Sequence, residues 1–380
     1  EALGGSLYST TRWDSTRIGV DVMSPKIGPA IDILADVVRH PTFKAEEIDR
    51  LRQQTLDDLT VELGEPGSVA RYVAARITFG DAPYGQPLAG TTETITRISR
   101  DNFLKYHRRW YRPDNAILVL GGDIRAVNGF SLAQRYFGDW KKPAESLPVL
   151  PVPQPVANAG PRVVVVDKPD AGQAAVIVAR AGIERTNADY FRGVVANSVL
   201  NGYSGRLNQE VRIKRGLSYG AGSQLDTRRG VGPFIASAQT KNPSAAQVAE
   251  LLLGEVGRLA TAPVPDVELN PRKAVVVGNF ARNLETNAGL VAQIASLAVY
   301  GINFEEINRY IGNVQGITAA DVQRFAGSHL DAKTTSIVIV GNAKEFLPEL
   351  RQKYPQVEVI PMAELDLNTA LLKKKQATGQ

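Results

Sequence analysis

The chain has 380 residues, 43% of them hydrophobic and 22% charged, with a net charge of +5. That is the make-up of a globular protein with room for two cores, and no apolar run reaches the ~18 residues of a membrane-spanning helix. There is no cysteine, and the histidines are His40, His107 and His329, which excludes disulfides, thiolate metal sites, a cysteine nucleophile and any local pair of histidine ligands.

In chain order, Ala30–Val38 reads as an amphipathic helix that ends at the boundary His40-Pro41. Ser99 is placed as the N-cap of a helix running to about Tyr111, followed by Pro113-Asp114-Asn115 and an expected strand over Ala116–Leu120. The run Tyr106–Arg112 mixes rings with arginines, and an amphipathic helix end explains it without nucleic acid. Residues 141–161 contain Pro143, Pro148, Pro151, Pro153, Pro155 and Pro161, the composition of an extended linker.

Beyond the linker, strands are expected at Val163–Val166 and Ala174–Ala179, then a helix over Ala188–Leu200 with Phe191, Val194, Val195 and Val199 on one face. Gly216–Leu225 and Gly232–Thr240 form a hairpin pattern around Asp226–Arg229. A helix capped by Thr318 reaches about Leu330 and precedes a strand over Ser336–Val340. The basic residues Lys373-Lys374-Lys375 read as a solvated terminus.

The two flanks of the linker repeat one another. Ile98 corresponds to Ile317, an offset of 219 that holds without a gap to Gly122 and Gly341, and Ala30–Val38 matches Val248–Val256 at nearly the same offset. Such a period marks duplicated domains. The copies are unequal: about 54 residues lie between Arg162 and Gly216, but only four precede the matching Gly5-Ser6-Leu7-Tyr8. The first copy thus lacks roughly 50 residues, either because the true chain starts earlier than Glu1 or because this domain is a remnant. The expected fold class is α+β: two homologous domains, each a mixed, mainly antiparallel sheet with helices on one face. The expected domains are residues 1–140, a linker at 141–161, a second repeat at 162–365 and a basic tail at 366–380.

Several catalytic devices are missing. Gly202-Tyr203-Ser204-Gly205 has Arg206 where a nucleophile elbow needs glycine, and no histidine is near in sequence. A helix cap followed by a turn explains it. No phosphate-binding loop follows an expected strand, and the three histidines are assigned structural roles. Arg212 and Tyr219 stand out differently. They flank a helix–glycine–strand corner at Gly216, which can bring a guanidinium and a phenol to one sheet edge as donors for carbonyl oxygens. Both residue types are also common at such positions for structural reasons.

The run Arg206–Ser223, RLNQEVRIKRGLSYGAGS, resembles the second-domain signature of the pitrilysin/insulinase family of zinc peptidases and their mitochondrial-processing-peptidase-like relatives. Glu1–Leu7, Pro41-Thr42-Phe43, Glu47–Arg50, Pro83-Tyr84-Gly85 and Tyr111–Asn115 echo family motifs in the same order. The resemblance implies a zinc site built from an inverted His-x-x-Glu-His helix, which would fall before Glu1, and a third carboxylate ligand. Aligned on Glu47–Arg50, the ligand position holds Asp58, and a second family glutamate falls on Leu51. These departures imply that the chain itself binds no zinc or other cofactor.

What the resemblance then implies is a non-catalytic subunit of a heterodimeric zinc metallopeptidase, inactive alone. Arg212 would orient an unfolded or extended peptide, or Tyr219 itself, and Tyr219 would donate to the peptide carbonyl or to the tetrahedral intermediate at the zinc site of a homologous partner subunit. The alternatives are a structural subunit like the core proteins of respiratory complexes, or a fragment of an active zinc peptidase. No nucleic acid is expected as a partner and no membrane span. The bacterial periplasm is the expected compartment, with the cytoplasm as alternative.

Overall fold

A computed structural model describes residues 2–156 and 160–374. Residues 157–159 of the expected linker and the end of the basic tail from residue 375, including Lys375, lie outside the described residues. The elements begin β1 (Ser6–Thr11), β2 (Thr16–Asp21), α1 (Ile27–Arg39), α2 (Ala45–Gly64), α3 (Pro66–Phe79), α4 (Thr92–Arg97), α5 (Arg100–Trp110) and α6 (Ala126–Phe137). After the proline-rich stretch come β3 (Val163–Asp167), β4 (Ala174–Ala181), α7 (Tyr190–Leu200), the short α8 (Arg206–Asn208), β5 (Ala221–Leu225) and β6 (Pro233–Thr240). The chain continues through α9 (Ala245–Thr261), α10 (Asp266–Leu284), α11 (Asn287–Val299), α12 (Glu306–Gln315), α13 (Ala319–His329), β7 (Ser336–Gly341), α14 (Leu347–Lys353) and β8 (Glu358–Pro361).

Packing divides the chain into two compact units. One comprises Glu1–Leu56, Thr92–Pro151 and Asn279–Asn308; the other comprises Asp57–Thr91, Val152–Gly278 and Arg309–Gln380. The division falls within α2, α10 and α12.

In the first unit β1 and β2 form an antiparallel pair. Helix α1 buries Ala30, Ile31, Leu34 and Ala35, the face that its 3.6-residue periodicity sets. Arg39 at its end pairs with Asp139 at 2.9 Å and donates to the Tyr136 carbonyl. Helix α5 starts with a capping box in which Ser99 and Asn102 satisfy each other's backbone N–H. Three of the basic and aromatic residues at the end of α5 and just beyond it are used internally. His107 Nε2 lies 2.8 Å from the Val38 carbonyl and its ring stacks on Tyr111, while buried Arg112 is held by Asp114 and the Glu145 carbonyl.

The second unit contains a six-stranded sheet in the order β5-β6-β4-β7-β3-β8. The β3–β7 and β3–β8 pairs are parallel, and β4–β6, β4–β7 and β5–β6 antiparallel, so the sheet is mixed and mainly antiparallel. One face carries Val165, Val176, Val178, Ala236 and Ile339 against Val199 of α7, Leu252 of α9 and Phe325 of α13. Alternation sends Val164, Val166, Ala175, Ile177, Val338 and Val340 to the opposite face, where Val69, Ala70, Val73, Ala74 and Ile77 of α3 cover them. Helices on one face alone were expected; both faces are apolar, and α3, from the first half of the sequence, fills the second. Arg76 of α3 is buried and donates to the Leu367 carbonyl at 2.8 Å, and Leu372 is fully buried, so the segment approaching Lys374 is packed rather than free.

The repeat is visible in three dimensions. Helices α5 and α13 each have eleven residues at the offset of 219, and α13 starts with the matching capping box of Thr318 and Asp321. The hairpin β1–β2 answers to β5–β6. One expectation fails: Ala116–Leu120 is extended but belongs to no sheet. Its counterpart β7 lies between β3 and β4, whereas among the described residues no strand pairs with Ala116–Leu120. A strand is defined by its ladder, and this segment has none to join.

Candidate functional site

The corner expected to carry the chemistry is built between α7 and β5. Helix α7 ends at Leu200, and Gly202 turns the chain at φ +90°, a conformation that favours glycine. The Gly205 N–H bonds to the Gly202 carbonyl at 2.9 Å, and a Cβ at Gly205 would stand 2.3 Å from the Asn201 carbonyl oxygen, so only glycine fits. This is the cap and turn read from the sequence. Among the described residues Ser204 has no side-chain base as a hydrogen-bond partner, and His329 pairs with Asp189 at 3.1 Å.

From Gly205 the chain enters α8 and then a π turn over Gln209–Ile213, closed by the Lys214 N–H on the Gln209 carbonyl. The sequence predicts an ordinary helix here; the wider turn is a finding, and such turns recur at functional sites. Two buried anchors hold its start. Arg206 bonds Glu268 of α10 with two contacts of 2.8 Å, and Asn208 Nδ2 donates to the Tyr203 carbonyl at 2.6 Å. Gly216, at φ +64°, ends the turn with its N–H on the Arg212 carbonyl, and Leu217 N–H bonds Val211.

Arg212 lies on the π turn, half-buried. The basic residues of the same segment are engaged, Arg206 with Glu268 and both Lys214 and Arg215 with Glu210, and Arg258 of α9 pairs with Glu255. Lys214 and Arg215 hold the Glu210 carboxyl below its ordinary range. Among the described residues Arg212 itself has no ion pair and no hydrogen bond from its guanidinium; its one close partner is the ring of Tyr203, 5.6 Å from guanidinium carbon to ring centroid. Sequence reasoning treated Tyr203 as part of a turn, and only its exposed aromatic character beside Gly202 could have marked it.

Tyr219 is 88% exposed, and among the described residues its hydroxyl has no hydrogen-bond partner. It lies on a bend two residues before β5, not on the strand as expected. The cause is local. Ser218 Oγ accepts from the Gly220 N–H at 3.0 Å and lies 2.6 Å from the Gly220 carbonyl, while Thr240 Oγ1 donates to the Leu217 carbonyl. These side chains satisfy groups that a ladder would otherwise take, and they fix the backbone beneath the phenol. Beyond it, Asn201 Oδ1 accepts from the Ser223 N–H on the outer edge of β5.

The residues present do not suit zinc. Leu51 and Asp58 are exposed on α2, two turns apart, and leucine offers no donor atom. Among the described residues no group of three or more His, Asp or Glu side chains could hold a metal ion. No helix among them is long and apolar enough to cross a membrane.

Comparison with known proteins assigns the chain. An uncharacterized zinc protease of Streptomyces coelicolor is 25% identical over 350 residues, covering 91% of this chain and 76% of its own length. A peptidase M16 inactive domain from Pseudomonas fluorescens shares the fold with a TM-score of 0.82 at 24% identity, over 90% of this chain and 82% of that one. A chain of complex III2 from Candida albicans shares it with a TM-score of 0.75 at 16% identity, over 90% and 83%. Residues 1–92 match Insulinase (Peptidase family M16), and residues 97–275 match the Peptidase M16 inactive domain. The chain belongs to the pitrilysin/insulinase family, M16, and carries that family's inactive-type domain.

Proposed function

We propose that this chain is the substrate-binding half of a two-subunit zinc peptidase, presenting Arg212 and Tyr219 to a peptide held at the zinc site of a homologous partner. The observation that carries the reading is the unpaired guanidinium of Arg212 on a segment where Arg206, Lys214 and Arg215 each have a carboxylate. A guanidinium left without an anion keeps its charge and its N–H donors for a ligand. Tyr219 adds an exposed hydroxyl on a bend held by Ser218 and Thr240.

In this arrangement Arg212 donates to main-chain carbonyls of an extended peptide and sets its register. Tyr219 donates its phenolic proton in a hydrogen bond to the oxygen on which negative charge develops as the carbonyl is attacked, a contact strengthened in the transition state. The partner's zinc supplies activation of the attacking water. Among the described residues no group of His, Asp and Glu side chains could hold a metal ion for that step.

The test is reconstitution with a zinc-bearing homologue and a fluorogenic peptide. The chain alone is expected to be inactive, and the complex active. Tyr219→Phe should lower kcat by about 100-fold, the scale of losing one oxyanion donor, and Arg212→Ala should raise KM. Full activity of the Arg212→Ala, Tyr219→Phe double variant in the complex would reduce this chain to a scaffold.

A further inference from the structure

We infer that Tyr203 is the positioning residue for Arg212, holding the guanidinium over its ring so that the N–H donors stay open to a peptide; this rests on the reading of Arg212 as peptide-binding. Arginine has a long flexible stem, and an unrestrained one loses much conformational freedom whenever it binds. A carboxylate would restrain it, as Glu268 restrains Arg206, but would also neutralise the charge and occupy two donors. An aromatic face attracts the cation through its quadrupole and takes up no N–H group. The contact between Arg212 and Tyr203 is of this second kind.

The loop that bears Tyr203 is built for the purpose of holding a ring in the open. Tyr203 is 72% exposed, so it is not there to fill a core. Yet its backbone is tied on both sides. Gly202 takes a left-handed turn, Gly205 fits only as glycine, and the buried Asn208 side chain donates to the Tyr203 carbonyl. Asn201, at the start of the loop, reaches the β5 N–H of Ser223. The ring retains only its two side-chain torsions, a small entropy for a large face. Arg212 enters from the π turn, whose first residues follow directly from Asn208.

Two measurements test the assignment. In the free chain, the Arg212 side-chain resonances should carry a ring-current shift in NMR spectra that is lost in Tyr203→Leu and kept in Tyr203→Phe. In the reconstituted complex, Tyr203→Leu should raise KM about two- to five-fold with kcat unchanged, the range for an exposed cation–π contact, and Tyr203→Phe or Tyr203→Trp should restore it. An Arg212 resonance indifferent to Tyr203→Leu overturns the pairing. A KM that rises in Arg212→Ala but not in Tyr203→Leu overturns the positioning role. If neither substitution moves KM while the resonance shift is present, the pairing stands and peptide binding through Arg212 fails. The exposed ring makes misfolding an implausible cause, and circular dichroism of Tyr203→Leu should match the parent chain.

Discussion

Leu118 and Ile337 occupy the same position in the two repeats, yet Leu118 is 40% exposed and Ile337 is 1% exposed. At the next two positions the contrast continues: Val119 and Leu120 are half-buried, whereas their counterparts Val338 and Ile339 are fully buried. The same local sequence type therefore has two energetic roles: Ile337 sits inside a sheet, and among the described residues no strand pairs with Leu118. Ile337→Ala should destabilise the second unit by about 2–4 kcal/mol, as for a buried aliphatic side chain. Leu118→Ala should cost about 0.5 kcal/mol or less. Urea unfolding followed by fluorescence and circular dichroism reads both, and equal losses would contradict the exposure.

The Arg206–Glu268 pair predicts a second asymmetry. Glu268→Ala leaves a buried guanidinium without its anion, with an expected loss of about 2–3 kcal/mol. Arg206→Met combined with Glu268→Leu should recover most of it, because an apolar pair of similar volume has no charge to desolvate. The double variant separates ion pairing from packing, and a double variant weaker than Glu268→Ala would show that the pair stabilises in its own right.

Asp321 supplies a pH dependence. Hydrogen bonds from Thr318, with Arg192 beyond them, hold its carboxyl at about 2. A depressed carboxyl stabilises the folded chain above its unfolded value, near 4, and that contribution fades as pH falls from about 4 toward 2. Asp321→Asn should therefore be weaker than the parent by about 2 kcal/mol at pH 7. The gap should narrow progressively below pH 4, and denaturant titrations at pH 7 and pH 3 measure it. A gap that is constant with pH would place the effect in packing rather than charge.

What could be read from the sequence was local. The capping residues Ser99 and Thr318 carry their own partners three positions on, so both helix starts and the repeat they share were visible. The glycine corner at Gly216 was visible because its backbone conformation nearly requires glycine. What escaped depended on distant neighbours. Ala116–Leu120 has strand composition but lacks a ladder, and nothing within Pro66–Phe79 says which sheet it covers. The strand before Tyr219 was placed too early because Thr240, from β6, takes the Leu217 carbonyl. Arg212 was visible as a residue type. Its freedom from any carboxylate was not, since that depends on Glu210, Glu255 and Glu268 choosing other partners.

The burial of α3 also changes what a cut in the chain would mean. Val149 is 96% exposed in the proline-rich stretch, an open target for a protease. Cleavage there would separate the peptide in sequence, but Val69, Val73 and Ile77 would still be seated on Val164, Ile177 and Val338. The nicked protein should therefore elute as one body from a sizing column and part into two pieces only in denaturant. Cloning residues 162–380 by themselves would do the opposite: it would strip an apolar face bare and yield insoluble protein. The prolines mark where the chain can be opened, while α3 decides that it does not come apart.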